Sequence, residues 1–249
     1  MRYILTGCEG YIGSYLKDIL IGEILLVDKQ IGIDINTGLY KQFQNFHPDI
    51  IYHLAAQTSV NKSFQDPEQD IIDNLFATLE MLKFQCKIIF ISSGTVYGDK
   101  LDAKETDLPQ PQSPYAITKL AAEYYIINSG VPYIILRMGN VWGKNNNKGV
   151  IKSFNEGGKI YGDGKHTRDY VYIDDVIEAL LQCQKWENGI YNIGTRKPTS
   201  VNEIADLMGI EKVYDKAIPE QNFISLNIDK AINMGWRPKT ALCQKNIHL

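Results

Sequence analysis

An apolar run from Tyr3 to Thr6 ends directly in Gly7-Cys-Glu-Gly10-Tyr-Ile-Gly13, and a helical pattern follows from Ser14 to Leu20. This strand, glycine loop and helix constrain the fold more than any other stretch. Such a unit needs glycine for a tight turn, for close approach of backbone donors to a pyrophosphate, and for packing the helix onto the strand. The pyrophosphate then sits on the helix amino terminus, where partial positive charge is available. Three glycines can also be plain loop punctuation. Their place between a strand and an apolar helix favours the nucleotide reading and an α/β chain with a doubly wound parallel sheet.

Ile24 to Val27 forms the second strand and Asp28 ends it. A carboxylate about 20 residues past the glycines accepts bonds from both ribose hydroxyls and repels a 2′-phosphate, so NAD is favoured over NADP. Lys29 works against this preference, because an ammonium could pair with that phosphate. Only Lys29 to Ile33 separate this strand from Asp34-Ile35, and a parallel crossover takes a dozen or more residues. A helix is therefore excluded here, leaving a very short strand or a loop.

Further on, Gly38 to Phe46 predicts a short helix, Ile50 to Leu54 a strand, and Asp70 to Phe84 an amphipathic helix. His53 reads as a core histidine with its hydrogen bonds satisfied. Lys87-Ile-Ile-Phe-Ile91 is a buried-strand run that ends in Ser92-Ser-Gly-Thr-Val-Tyr-Gly98, which puts hydroxyls where open parallel sheets bind ligands. Asp99 to Gln110 is acidic and proline-bearing, either a flap or a solvated linker. Ser113-Pro114 then opens a helix carrying Tyr115-Ala-Ile-Thr-Lys119, whose phenol and ammonium share one face. A nearby cation favours the phenolate, which suits proton exchange with a hydroxyl. On its own such a pair is more often plain helix surface; the strand end and glycine loop upstream make it a catalytic candidate.

With these features together the chain resembles the extended short-chain dehydrogenase/reductases and, within them, the NAD-dependent epimerase/dehydratase family, on the side of the nucleotide-sugar epimerases, over nearly its whole length. The resemblance implies a Rossmann-type domain over residues 1–139, to which residues from about 170 to 194 return, and a smaller C-terminal lobe over residues 140–249. It implies NAD contacts from Gly7, Gly10, Tyr11, Ile12, Gly13 and Asp28, and from Asp34 and Ile35 beside the adenine. Leu54, Ala55 and Ala56 of a His-x-Ala-Ala match, with Tyr115 and Lys119, complete the cofactor side. Asn74 and Thr78 match an Asn-x-x-x-Thr pattern in which the asparagine braces the active-site strand. Ser93 and Thr95 would hydrogen-bond the reacting oxygen. Asn140, Val150, Tyr161 and Arg168 would hold a nucleotide sugar, Arg168 on the diphosphate and Tyr161 near the base. A bland alternative for Arg168 is a surface salt bridge with Asp169 or Asp174. Where relatives bring a second arginine, this chain has Ile218, with Lys216 close by.

The activity so implied is inversion at C4 of a UDP-hexose through a transient 4-keto sugar. Ser92-Ser-Gly-Thr95 carries no carboxylate, which disfavours the elimination chemistry of related dehydratases. The alternatives are a reductase of 4-keto-6-deoxy nucleotide sugars and a catalytically silent dinucleotide sensor. The family's four-helix contact implies a homodimer. Net charge is -3 with both signs interspersed, so no basic stripe points to nucleic acid or an acidic membrane. Four scattered cysteines without a C-x-x-C predict no metal site and reduced thiols in the cytoplasm. The chain opens on a strand and holds no long apolar run, which predicts no signal peptide and no membrane span.

Overall fold

The computed structural model of the chain describes residues 1–146, 148–216 and 221–247. A six-stranded parallel sheet has the order Gly189–Ile193, Tyr133–Met138, Lys87–Ser93, Ile50–His53, Arg2–Thr6, Glu23–Val27. Its strands read as continuous apolar runs because both faces are covered. On one face Leu5, Tyr52, Ile89 and Leu136 pack with Leu16 of the first helix and with Val176 and Leu180 of helix Ile173–Gln182. On the other, Ile4, Ile51, Phe90 and Ile135 pack with Leu39, Met81, Ala122 and Ile126. Burying each such side chain contributes about 1.5–3 kcal/mol. After Arg2–Thr6 the chain adds Glu23–Val27 on one side and returns to Ile50–His53 on the other. That reversal opens a crevice at the carboxyl ends of the strands, where doubly wound sheets take their ligands.

The first helix spans Tyr11–Lys17, with Gly10 as its N-cap, and so begins before Ser14. Between Asp28 and Gly38 there is no α-helix. Two 3-10 turns, Lys29–Ile31 and Ile35–Thr37, are each capped by the aspartate before them, Asp28 accepting from the Gln30 amide and Asp34 from the Asn36 amide. Among the described residues no strand pairs outside Glu23–Val27, so the short connection is a loop and the sheet ends there. An unanticipated helix, Val60–Gln65, is capped by Ser59. The expected helix from Asp70 to Phe84 is interrupted. It runs as Pro67–Asp70, a π segment Ile71–Phe76, and Ala77–Leu82.

The first part of the acidic stretch after Gly98 is neither flap nor linker. Lys100–Ala103 is a strand paired in parallel with Ile224–Leu226. Its carboxylates meet donors along the chain: Asp99 accepts from the backbone and side-chain nitrogens of Asn222 at 2.6 and 2.7 Å, Glu105 from the Asn192 amide at 2.8 Å, and Asp102 from Arg196 at 2.6 Å.

The smaller sheet joins Asn140–Trp142, Thr167–Tyr172 and Pro198–Ser200, with a core of Trp142, Phe154, Ile160, Tyr170, Val201 and Ile204. The capping box at Ser200 and Glu203 forms on helix Val201–Met208. Buried Asp169 accepts from the amides of Thr195, Arg196 and Leu226 at 2.6, 2.9 and 3.0 Å, stitching this sheet to the closing segment. No helix of the described residues is long and apolar enough to cross a membrane.

Candidate active site

The glycine loop is a cradle that only glycines allow. Gly7 adopts φ +71°, and a Cβ there would lie 2.7 Å from the Ala55 nitrogen. A Cβ on Gly13 would lie 2.0 Å from the Gly7 carbonyl oxygen, so the helix can begin against the loop only without a side chain. Asp28 is fixed at the rim, accepting from the amides of Glu9 and Gln30 at 3.0 and 2.9 Å. Lys29 is engaged elsewhere, 2.7 Å from Asp73 and 3.7 Å from Asp34. The rim beside the loop therefore presents carboxylates around an already paired ammonium, an arrangement that could accept from a pair of hydroxyls and would oppose a phosphate. Leu54 and Ala55 donate their amides to the Thr6 hydroxyl at 3.2 and 3.1 Å, which holds the facing strand end in place.

His53 is buried between Thr6 and Thr78, with Nδ1 2.8 Å and Nε2 3.1 Å from their hydroxyls. The Thr78 hydroxyl donates to the Asn74 carbonyl, so His53 Nε2 is the donor to Thr78. Burial, helped by the charge of Lys119, lowers its pKa to about 3. It is a satisfied core histidine, as the sequence suggests.

Helix Pro114–Ile127, capped by the Ser113 hydroxyl, buries Tyr115 and Lys119 on one face beside the end of strand Lys87–Ser93. The Ser93 hydroxyl accepts from Thr95 Oγ at 2.9 Å and lies beside the Tyr115 phenol, where it favours the phenolate. The Lys119 ammonium lies 4.3 Å over the ring of Phe90. Tyr115, Ser93, Thr95 and Lys119 thus meet at one strand end. The electrostatics differ from the sequence expectation. Burial drives Tyr115 up to about 12; the Ser93 hydrogen bond opposes this and Asp70 adds to it. Burial also takes Lys119 down to about 7, while Glu123 and Asp70 pull it back up. Desolvation of both groups outweighs their spacing on the helix, so Lys119 does not lower the phenol in the protein alone.

Three polar residues missed in the sequence complete the surroundings. Glu123, on the same face as Tyr115 and Lys119, accepts from Ser92 Oγ and from Arg137 Nη2, the latter at 2.6 Å. Asp70 accepts from Asn74 Nδ2 at 3.0 Å, Gln57 Nε2 at 2.8 Å and Thr118 Oγ at 2.6 Å. Gln57 also donates its amide to Asn74 Oδ1 at 2.9 Å. The signal available was spacing: Glu123 follows Lys119, and Asp70 precedes Asn74, by one helical turn.

Two hollows lie toward the smaller lobe. The inner one is lined by Ser93, Thr95, Met138, Asn140, Asp169, Ile224 and Leu226. An outer cleft of about 550 Å³ is lined by Tyr161, Lys165, His166, Gln221 and Phe223 among others, a size that suits a nucleotide. Asn140 and Tyr161 therefore face these hollows. Arg168 is buried in strand Thr167–Tyr172 and donates to the Thr167 carbonyl at 2.8 Å. Neighbouring Asp169 is held by backbone donors, which excludes it as the partner in a surface salt bridge. Val150 is half-buried in helix Gly149–Asn155 against the lobe core and lines neither hollow. The Ile218 position lies outside the described residues. No cluster of His, Cys, Asp and Glu suited to a metal ion occurs among the described residues.

A model of the NAD dependent epimerase/dehydratase family matches residues 3–194. A putative UDP-glucose 4-epimerase of Methanocaldococcus jannaschii is 34% identical over 286 aligned residues, covering 96% of this chain and 94% of the relative. The UDP-glucose 4-epimerase of Thermotoga maritima, solved with UDP-glucose, superposes with a TM-score of 0.88 at 30% identity, covering 99% of this chain and 96% of that one. The UDP-glucose 4-epimerase of Thermus thermophilus, solved with NAD, gives 0.88 at 31% identity, covering 100% and 97%.

Proposed function

The chain belongs to the NAD dependent epimerase/dehydratase family, and on that premise we propose that it inverts the C4 hydroxyl of a UDP-hexose through a 4-keto sugar. The observation that carries this reading is the hydroxyl cluster of Ser93, Thr95 and Tyr115 at the end of strand Lys87–Ser93, with no carboxylate in the Ser92–Thr95 segment. Tyr115 Oη takes the proton of the C4 hydroxyl and later returns it. Ser93 and Thr95 hold the reacting oxygen and donate to it as charge grows. Lys119, Asp28 and the amides of the glycine loop would hold NAD, with Asp34, Ile35, Ala55 and Ala56 along its length. NAD, when bound, supplies the hydride acceptor and a positively charged ring beside the phenol. Met138, Ile224 and Leu226 keep water from the reacting carbon. With no acid at residue 95 to move protons on sugar carbons, the keto sugar is not driven toward elimination.

Arg168, with Tyr161 and Lys165 beside the outer cleft, anchors the nucleoside diphosphate; a planar guanidinium suits phosphate oxygens. One charge-assisted bond contributes about 1.5–3 kcal/mol, so Arg168→Ala should raise KM roughly 10- to 100-fold. Lys216→Ala should cost much less, since an exposed ammonium lacks the fork. Equal losses at the two positions in steady-state kinetics would move the anchor elsewhere.

The nucleotide-sugar lobe is taken to begin at residue 140. Phe64, Ile71, Phe76, Ile117, Tyr124 and Tyr125 are exposed on the flanking helices, an apolar face suited to a second copy of the chain. The enzyme is accordingly read as a homodimer, which light scattering would test, and its four free cysteines suit the cytoplasm. Mass spectrometry for NAD retained on purification, followed by a screen of UDP-, GDP- and dTDP-sugars, tests the reading as a whole. Retained NAD and a 4-epimer from a UDP-hexose are expected; net consumption of reduced cofactor on a keto sugar would replace it by the reductase.

A further inference from the structure

Asp70 is fully buried, yet none of its hydrogen-bond donors among the described residues is charged: they are Asn74 Nδ2, Gln57 Nε2 and Thr118 Oγ. A buried carboxylate without a cation is costly, and such groups stay where another charge is close enough to matter. Thr118 sits between Tyr115 and Lys119 on helix Pro114–Ile127, and its hydroxyl is also 3.0 Å from the Tyr115 carbonyl. Asp70 ends helix Pro67–Asp70, and the π segment carrying Asn74 begins directly after it. Wide turns of this kind often mark functional sites. The charged and titratable groups around Lys119 are few. Glu123 lies on its own helix and is already bonded to Arg137 and Ser92; neutral His53 comes from the sheet; Asp70 comes from the facing helix. Glu123 is thus committed, while Asp70 has only neutral partners.

We propose that Asp70 is a positioning residue for the Tyr115–Lys119 pair, its buried carboxylate being the counter-charge to Lys119 and, through Thr118, the tether that sets the helix bearing both. The electrostatic directions agree: Asp70 favours the protonated form of Lys119 and likewise of Tyr115. Turnover needs Lys119 charged and Tyr115 able to give up its proton, so Asp70 sets the pH range over which both hold. The inference rests on the epimerase reading given above.

Asp70→Asn isolates the charge. One amide oxygen can keep the bonds from Asn74 and Gln57, while the amide nitrogen donates to Thr118 Oγ and the Thr118 hydroxyl to the Tyr115 carbonyl. Losing the charge lowers both pKa values. The alkaline limb of the kcat profile, where Lys119 loses a proton, and the acid limb, set by Tyr115 once the charge of bound NAD brings the phenol down, should therefore both move acidward by roughly one pH unit. NAD affinity should likewise begin to fall at a lower pH than in the wild type, a readout that remains even if no sugar is turned over. Thr118→Val, which keeps the charge and cuts the tether, should lower the unfolding temperature and leave both limbs in place. A folded Asp70→Asn protein with the wild-type limbs and the wild-type pH dependence of NAD binding would overturn the proposal. If Asp70→Asn does not fold, Asp70→Ser, equally neutral and smaller, is measured in the same way. Failure of both to fold would assign Asp70 to stability alone and overturn it too.

Discussion

Tyr115→Phe should give a folded protein that still binds NAD and turns over at least ~10²-fold more slowly, the low end for a general acid–base group. The ring packs as before, because only the phenolic oxygen is lost and the bond it forfeits is to the Ser93 hydroxyl. The loss should appear in kcat with KM little changed, since the proton moves only as the C4 oxygen gains or loses charge. With burial holding Tyr115 near 12 and Lys119 near 7, the pair without cofactor rests at neutral pH as a phenol beside a part-charged lysine, and the proton-accepting form needs the positive charge that bound NAD would add. Asp70 and Glu123 favour the ammonium, while Asp70 also holds the proton on Tyr115. A Phe variant retaining half the wild-type rate would place the base at another residue.

Glu123→Ala should be the most destabilising single change in helix Pro114–Ile127. Glu123 and Arg137 are 1% and 2% exposed. Arg137 donates through Nε at 3.1 Å and Nη2 at 2.6 Å to this one carboxylate, and its guanidinium lies 4.6 Å over the ring of Tyr97. Removing Glu123 leaves a buried cation uncompensated and takes the acceptor from Ser92, a loss of about 3–5 kcal/mol. For a chain of this size that is a fall of roughly 10 °C in unfolding temperature. Replacing Glu123 and Arg137 together by Leu should cost less than Glu123→Ala alone, because no charge is then stranded. Calorimetric scans of the three proteins would decide it. A shift under about 2 °C for Glu123→Ala would mean that Arg137 finds another partner.

The parts of the fold legible in the sequence were those set by local chemistry. The Gly7–Gly13 loop, the missing helix after Asp28, and the helix opened by Ser113-Pro114 each depend on a few neighbouring residues. Asp99–Ala103 was misread because its partners, Asn222 to Leu226, are far along the chain, and acidic residues look solvated until their donors are known. The interruption at Ile71–Phe76 leaves no mark in apolar spacing, since wide and regular turns bury similar faces. The grouping of Tyr115, Lys119, Ser93 and Thr95 at the end of strand Lys87–Ser93 was legible. Its electrostatics were not, because periodicity places two groups on one face without saying how deeply they are buried. For the same reason Asp70 read as an ordinary residue of an amphipathic helix.

Epimerisation carried out in D2O tests the central claim most directly. NMR of a UDP-hexose incubated with the purified protein should show the 4-epimer forming, with the original hydrogen still on C4 and deuterium only on exchangeable hydroxyls. Such retention follows when the hydrogen leaves and returns inside one closed site while Tyr115 handles only the hydroxyl proton. Deuterium bound to a sugar carbon, a keto sugar that accumulates, or no 4-epimer from any UDP-hexose would contradict the account.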